Sequence, residues 1–204
     1  MTLNLQNSYA PLVWSRDPWT SRHRVVINTV WDIPVGRGKR ALSNMPPLLN
    51  QIVGVWHLSW IAIMQTGQFF SPSFSGSDPS NTNTSGGLPE RIANGSLPFA
   101  QRTISHWFDT GAFAVPQKGS FGNSGEDILE GPGLYSHNAT FSKRFPIRER
   151  MAFTFTLAVF NVMNHPNFAL PSANISVPAT AGVISSTNAV AGARAMELRL
   201  RLGF

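Results

Sequence analysis

The chain has 204 residues, a formal net charge of +6 and no cysteine, so disulfides and thiolate-bound metals are excluded. Charged residues make up only 13%, about half the share usual in soluble domains, while Gly (17), Pro (15) and Phe (14) are plentiful. Few charges with many turn-formers and aromatics point to an all-β protein whose outer surface is not wholly in water. A basic balance admits nucleic acid or anionic lipid as a partner, but no nucleic-acid-binding motif accompanies it, and no nucleic acid is expected. No apolar run reaches the roughly 18 residues of a membrane-spanning helix. The opening "MTLNLQNSYAPLVW" lacks a basic segment followed by an apolar core, so it is not a signal peptide. An exported protein that starts here is expected to be a fragment.

After a loop over 1–23, "RVVINTVWDI" (Arg24 to Ile33) alternates as a strand, with Val25, Ile27, Thr29, Trp31 and Ile33 on one face and Asn28 and Asp32 on the other. "PVGRGKR" ends it. A second strand is expected over "IVGVWHLSWIAIMQ", Ile52 to Gln65, completing a strand pair over 24–65; its enrichment in Trp, Val and Ile favours strand over the competing helix. The region 66–133 reads as one long loop. Its "SPSFSGSDPSNTNTSGGLPERIANGS" is too poor in apolar residues to form a core, and "QRTISHWFDTGAF" suits a short helix or a packed loop segment. A hairpin over 134–160 follows. Its first strand, "LYSHNATFSKRF", is less regular. Its second, "MAFTFTLAVF", sets Met151, Phe153, Phe155, Leu157 and Val159 against Ala152, Thr154, Thr156 and Ala158. A loop over 161–193 leads to a terminal strand over 194–204.

Short and long connections alternate, which fits an antiparallel sheet with a short-turn side and a long-loop side. A half-buried strand of a soluble β-sandwich has the same period. Three features argue for lipid instead: apolar faces about ten residues long, opposite faces of small polar residues, and no evident core to consume the apolar faces. The expectation is an all-β, antiparallel transmembrane β-barrel segment of about five strands, an incomplete barrel with long extracellular loops. An Arg facing lipid near midplane costs roughly 2–4 kcal/mol. In "MELRLRLGF", Glu197, Arg199 and Arg201 are therefore expected to face the lumen, and Met196, Leu198, Leu200, Leu202 and Phe204 the hydrocarbon. Trp14, Trp19, Trp31, Trp56 and Trp60 are candidate interfacial anchors.

The segments "HRVVINTVWDIPVGRGKR", "QTGQFFSP", "RTISHWFDTGAF", "GNSGEDILEGPGL" and "FPIRERMAFTFTLAVFNVMNHPNF", in this order and followed by a C-terminal Phe, carry a resemblance over about residues 7–204. The chain resembles the carboxyl-terminal barrel region of TonB-dependent, Oar-like outer-membrane receptors with a carboxypeptidase-regulatory-like domain, numerous in Acidobacteria. The resemblance implies a bacterial outer-membrane location, a barrel of about 22 strands with a plug, and uptake of an unidentified ligand driven through TonB by parts absent from this chain. It also implies that outer-membrane lipid and the barrel-assembly machinery are partners, with Phe204 as the assembly signal. Transport by this chain alone is not expected.

No enzymatic chemistry is expected, and no cofactor or metal. His23, His57, His106, His137 and His165 are scattered without ligand spacing. "GRGKR" lacks the glycine spacing and following helix of a phosphate loop, and reads as a turn whose charge meets the periplasm or lipid headgroups. Glu126, Asp127 and Glu130 fit neither a calcium loop nor a glycosidase pair and read as a solvated loop. The other readings are an outer-membrane structural or adhesion protein and a soluble β-sandwich binding module.

Overall fold

The computed structural model describes residues 15–148 and 151–204. Trp14, most of the expected loop over 1–23, and residues 149 and 150 lie outside the described residues. The chain divides into two compact units, one built from 24–64, 135–166 and 191–204, the other from the N-terminal residues, 65–134 and 167–190.

The first unit is a sheet. Its strands are β1 (Arg24–Asp32), β2 (His57–Gln65), β7 (Leu134–Arg148), β8 (Met151–Phe160) and β9 (Ala195–Gly203), hydrogen-bonded in the order β1-β2-β7-β8-β9. β8 runs antiparallel to both β7 and β9. β1 and β9 are the edges of an open sheet. The second strand begins five residues later than its sequence suggests, because α1 (Pro47–Val53) claims Ile52 and Val53. Pro47 at the first helical positions arrives with its φ already set, and Leu48, Leu49 and Gln51 sustain the turn. Gly54 and Val55, the latter at φ 57°, then break it. The less regular strand is in fact the longest, 15 residues, with a register shift between Pro146 and Arg148.

The β8–β9 loop is fastened at its root by the "FNVMNHPNF" stretch. Asn161, buried and at φ 49°, donates from Nδ2 to the His165 and Gly192 carbonyls at 2.9 and 2.8 Å and accepts from the His165 N–H at 3.1 Å. Its own N–H donates to Asn138 Oδ1 at 2.9 Å. Asparagine tolerates this left-handed conformation and supplies both donor and acceptor.

The second unit is where the sequence reading is corrected. Within the expected loop, β3 (Phe69–Phe70) pairs with β6 (Leu129–Glu130) and β4 (Glu90–Arg91) with β5 (Phe113–Ala114), both antiparallel. They close on a core of Phe70, Phe108, Ala112, Phe113 and Leu129. The Phe108 ring meets Phe70 and Phe113 edge-on at centroid distances of 5.8 and 6.0 Å, a favoured aromatic geometry. The run judged too polar to form a core contributes buried Phe74 and Pro89. Close backbone crossings require glycine at two points: a Cβ on Gly67 would collide with the Gly131 carbonyl, and one on Gly122 with that of Leu88.

Candidate membrane-facing surface

Register fixes which side chains share a face of the sheet. Across β8 and β9, Phe153, Phe155, Leu157 and Val159 stand opposite Leu202, Leu200, Leu198 and Met196. The alternate positions pair Thr154 with Arg201, Thr156 with Arg199 and Ala158 with Glu197. β7 extends both rows: Ala139, Phe141 and Phe145 join the apolar one, and Thr140, Ser142 and Arg144 the polar one. The alternation read in single strands is thus continuous over three neighbours. Arg199 donates to Glu197 at 2.7 Å along the polar row of β9, an exposed pair worth little by itself.

Of the residues singled out in the terminal strand, Met196, Leu198, Leu200 and Leu202 are 71, 59, 56 and 51% exposed, and Phe204 95%. β1 is likewise exposed along its whole length. The apolar row is thus bare along β9 and half-buried along β8, and an apolar strand face left bare over its whole length is more than a protein surface in water usually carries.

Aromatic residues mark both ends of this row. Toward the long-loop end, Trp60 donates from Nε1 to His137 Nδ1 at 3.2 Å, and Tyr135 packs against both His137 and His165. The neutral His137 ring therefore carries its proton on Nε2, which is buried and meets no acceptor among the described residues. Toward the short-turn end, Trp56 meets Phe155 edge-on at 5.8 Å and Phe145 tilts against Phe153. Tyr135 and Phe145 stand ten steps apart on β7, about 33 Å at 3.3 Å per residue. Inclined at about 40°, that covers about 25 Å along the membrane normal, the height of the apolar band of an outer-membrane barrel between its aromatic girdles. Of the other candidate anchors, Trp31 is half exposed on β1, and Trp19 lies in the second unit, 85% exposed.

One residue breaks the apolar row. Lys143 stands opposite Phe155, between Phe141 and Phe145, yet is buried. Its ammonium donates to the Asn50 carbonyl at 3.1 Å and to the Gly54 carbonyl at the end of α1, and lies 5.7 Å from the Trp56 ring. Sequence reasoning passed over Lys143 and α1. The usable signal was a lysine at an apolar parity position, two residues from Phe141 and two from Phe145. His57 Nδ1 and Asp32 Oδ1 are in hydrogen-bond contact across β1 and β2.

In the second unit, Trp107 packs against the core to which Phe108 and Phe113 belong. Trp107 Nε1 donates to the Glu130 carbonyl at 2.9 Å and the two Phe rings are core. The acidic trio is not a solvated loop. Asp127 is buried at φ 52°, accepts from the Ser71 hydroxyl at 3.2 Å and donates its N–H to Ser71 Oγ at 2.8 Å. Burial pushes its carboxyl above the ordinary range, against the Ser71 hydrogen bond. Asp127, Ser71 and Glu126 border an open cavity of about 490 Å³ with the 15–19 segment. No group of acidic and histidine side chains among the described residues is arranged to hold a metal.

A model of the outer membrane beta barrel domain matches residues 2–197. The chain belongs to that family. Its sheet is accordingly transmembrane β-barrel wall in the bacterial outer membrane, and the soluble-sandwich alternative falls away. Among the described residues no helix of this barrel domain is long and apolar enough to cross a membrane, as expected where strands do the crossing. No curated protein and no solved structure matches the chain.

Proposed function

We propose that this barrel domain forms wall and outer-loop structure of a TonB-dependent, Oar-like outer-membrane receptor that takes up an unidentified ligand, with no catalytic role. The supporting observation is the apolar row shared in register by β7, β8 and β9, exposed at the β9 edge. Such a row suits hydrocarbon, while Glu197, Arg199 and Arg201 on the reverse suit a watery lumen. The order of motifs from "HRVVINTVWDIPVGRGKR" to the terminal Phe supports the receptor class. Among the described residues β1 and β9 each present an unpaired backbone edge, which hydrocarbon does not tolerate, so in this reading further strands pair with them in the membrane. Met196, Leu198, Leu200 and Leu202 face lipid in this reading, and Phe204 is presented to the barrel-assembly machinery.

The decisive experiment compares ligand uptake by cells carrying and lacking the protein, with and without a protonophore. Uptake that depends on the protein and collapses with the proton gradient supports energised transport. Uptake indifferent to the gradient, or no difference between the strains in any nutrient tested, refutes it.

A further inference from the structure

Residues 33–56, which join β1 to β2, contain no Asp or Glu but hold Arg37, Lys39 and Arg40, all exposed. Next to this basic turn, α1 buries none of its residues and leaves Leu48, Leu49, Ile52 and Val53 exposed by 78, 51, 66 and 44%. Seven residues are too few for a helix that stands alone. Three contacts hold it. Lys143 reaches from the apolar row of β7 to the carbonyls of Asn50 and Gly54, supplying donors that a helix C-terminus lacks. Trp56 Nε1 donates to the Ile52 carbonyl at 3.0 Å while its ring packs on Phe155. Asn50 Oδ1 accepts from the Arg37 N–H at 2.7 Å, which ties the basic turn to the helix. Glycine at 36 and 54 makes room, since a Cβ at either would strike the Asn50 side chain.

The helix is therefore fixed on the same side of the sheet as Phe155 and Phe145, at the short-turn end, with its aliphatic side chains bare and three cations beside it. We propose that this connection is an interfacial membrane anchor: α1 lies in the membrane surface on the short-turn side, and Arg37, Lys39 and Arg40 meet the phosphates of anionic lipid headgroups. Charge complementarity and continuity with the apolar row select a lipid surface as the occupant. Lys143 acts as the staple that positions the helix, its own charge held at the headgroup boundary by the carbonyls it binds. The inference rests on the outer-membrane barrel reading and adds a second kind of contact between wall and bilayer.

The chain has no cysteine, so one can be placed and labelled cleanly. Leu49→Cys carrying an environment-sensitive fluorophore is measured in the chain joined to the strands that complete its barrel, reconstituted together into phosphatidylcholine vesicles with roughly a quarter phosphatidylglycerol. The expected result is a blue-shifted emission, quenched roughly twofold more by a nitroxide near the headgroups than by one deep in the chains. Adding Arg37→Gln, Lys39→Gln and Arg40→Gln should lower that quenching in the anionic vesicles and leave pure phosphatidylcholine unaffected. A Leu200→Cys label serves as the reference for the wall. If Leu49 stays water-like while Leu200 is quenched, the anchor is refuted and the barrel reading stands. If neither is quenched, both fall. A triple variant that behaves as the parent overturns the headgroup role, as does inorganic phosphate alone reproducing the shift.

Discussion

Leu198 offers a sharp discrimination between lipid and water outside the sheet. It stands opposite Leu157, which in turn pairs with Phe141, near the middle of the band between Tyr135 and Phe145. Its side chain is 59% exposed. If water covered it, Leu198→Arg would change stability by no more than about 0.5 kcal/mol, as at most open surface sites. If hydrocarbon covers it, an arginine near midplane costs about 2–4 kcal/mol, roughly 30-fold to several-hundred-fold in the folded population at 1.4 kcal/mol per decade. Ala158→Arg is the control: it puts the same side chain one step away on the polar row, opposite Glu197, and is expected to cost less than about 1 kcal/mol. Both variants are made in the completed barrel, which is refolded into vesicles and titrated with urea, folded protein being read from its heat-modifiable migration on gels. Equal costs for the two substitutions, or a larger one for Ala158→Arg, would refute the assignment of the rows.

Deleting Phe204 is expected to slow insertion of the barrel into the outer membrane while leaving synthesis intact, measured as the ratio of membrane-fractionated to total protein; an unchanged ratio leaves Phe204 as an exposed strand end and nothing more. Asp127→Asn should stabilise the second unit at neutral pH. The folded carboxyl has a raised pKa, so its contribution is favourable at low pH and is lost as pH rises through the folded value. The amide escapes that loss, keeps an acceptor for Ser71 and tolerates φ 52°. Amide exchange around Ser71 and Leu129 reads the effect, and a gain that grows toward acid contradicts the sign. Gly67→Ala, forced against the Gly131 carbonyl, should cost at least about 1–3 kcal/mol by the same exchange measurement, and a neutral substitution would mean the crossing is looser than described.

What could be read in advance divides along lines of sequence distance. β1, β8 and β9 were legible because each carries its evidence in its own nine or ten residues, the period of two being a local property. β2 was blurred at its start, where Ile52 and Val53 suit either a strand or the end of a helix and only the upstream Pro-Pro-Leu-Leu decides. Lys143 hid inside β7 because its partners, the Asn50 and Gly54 carbonyls, lie about ninety positions earlier. The core of the second unit was illegible for the same reason. Phe70, Phe108, Phe113 and Leu129 come from three separate stretches, of which only "QRTISHWFDTGAF" read as packed, and only their convergence makes them a core. Likewise Asp127 read as solvated because its neighbours are acidic and glycine-rich, whereas Ser71 supplies its partner from 56 residues away.

The reverse of the sheet has a bearing of its own. Arg144 and Arg201 flank Thr154 at one level of three adjacent strands, both exposed. The nearby Arg199 is occupied with Glu197. Two guanidiniums on a shared wall, with only a hydroxyl between them, raise the local concentration of anions in the adjoining water and lower that of cations. A passage bounded by this wall would thus sort solutes by sign of charge before any binding site distinguished them by shape.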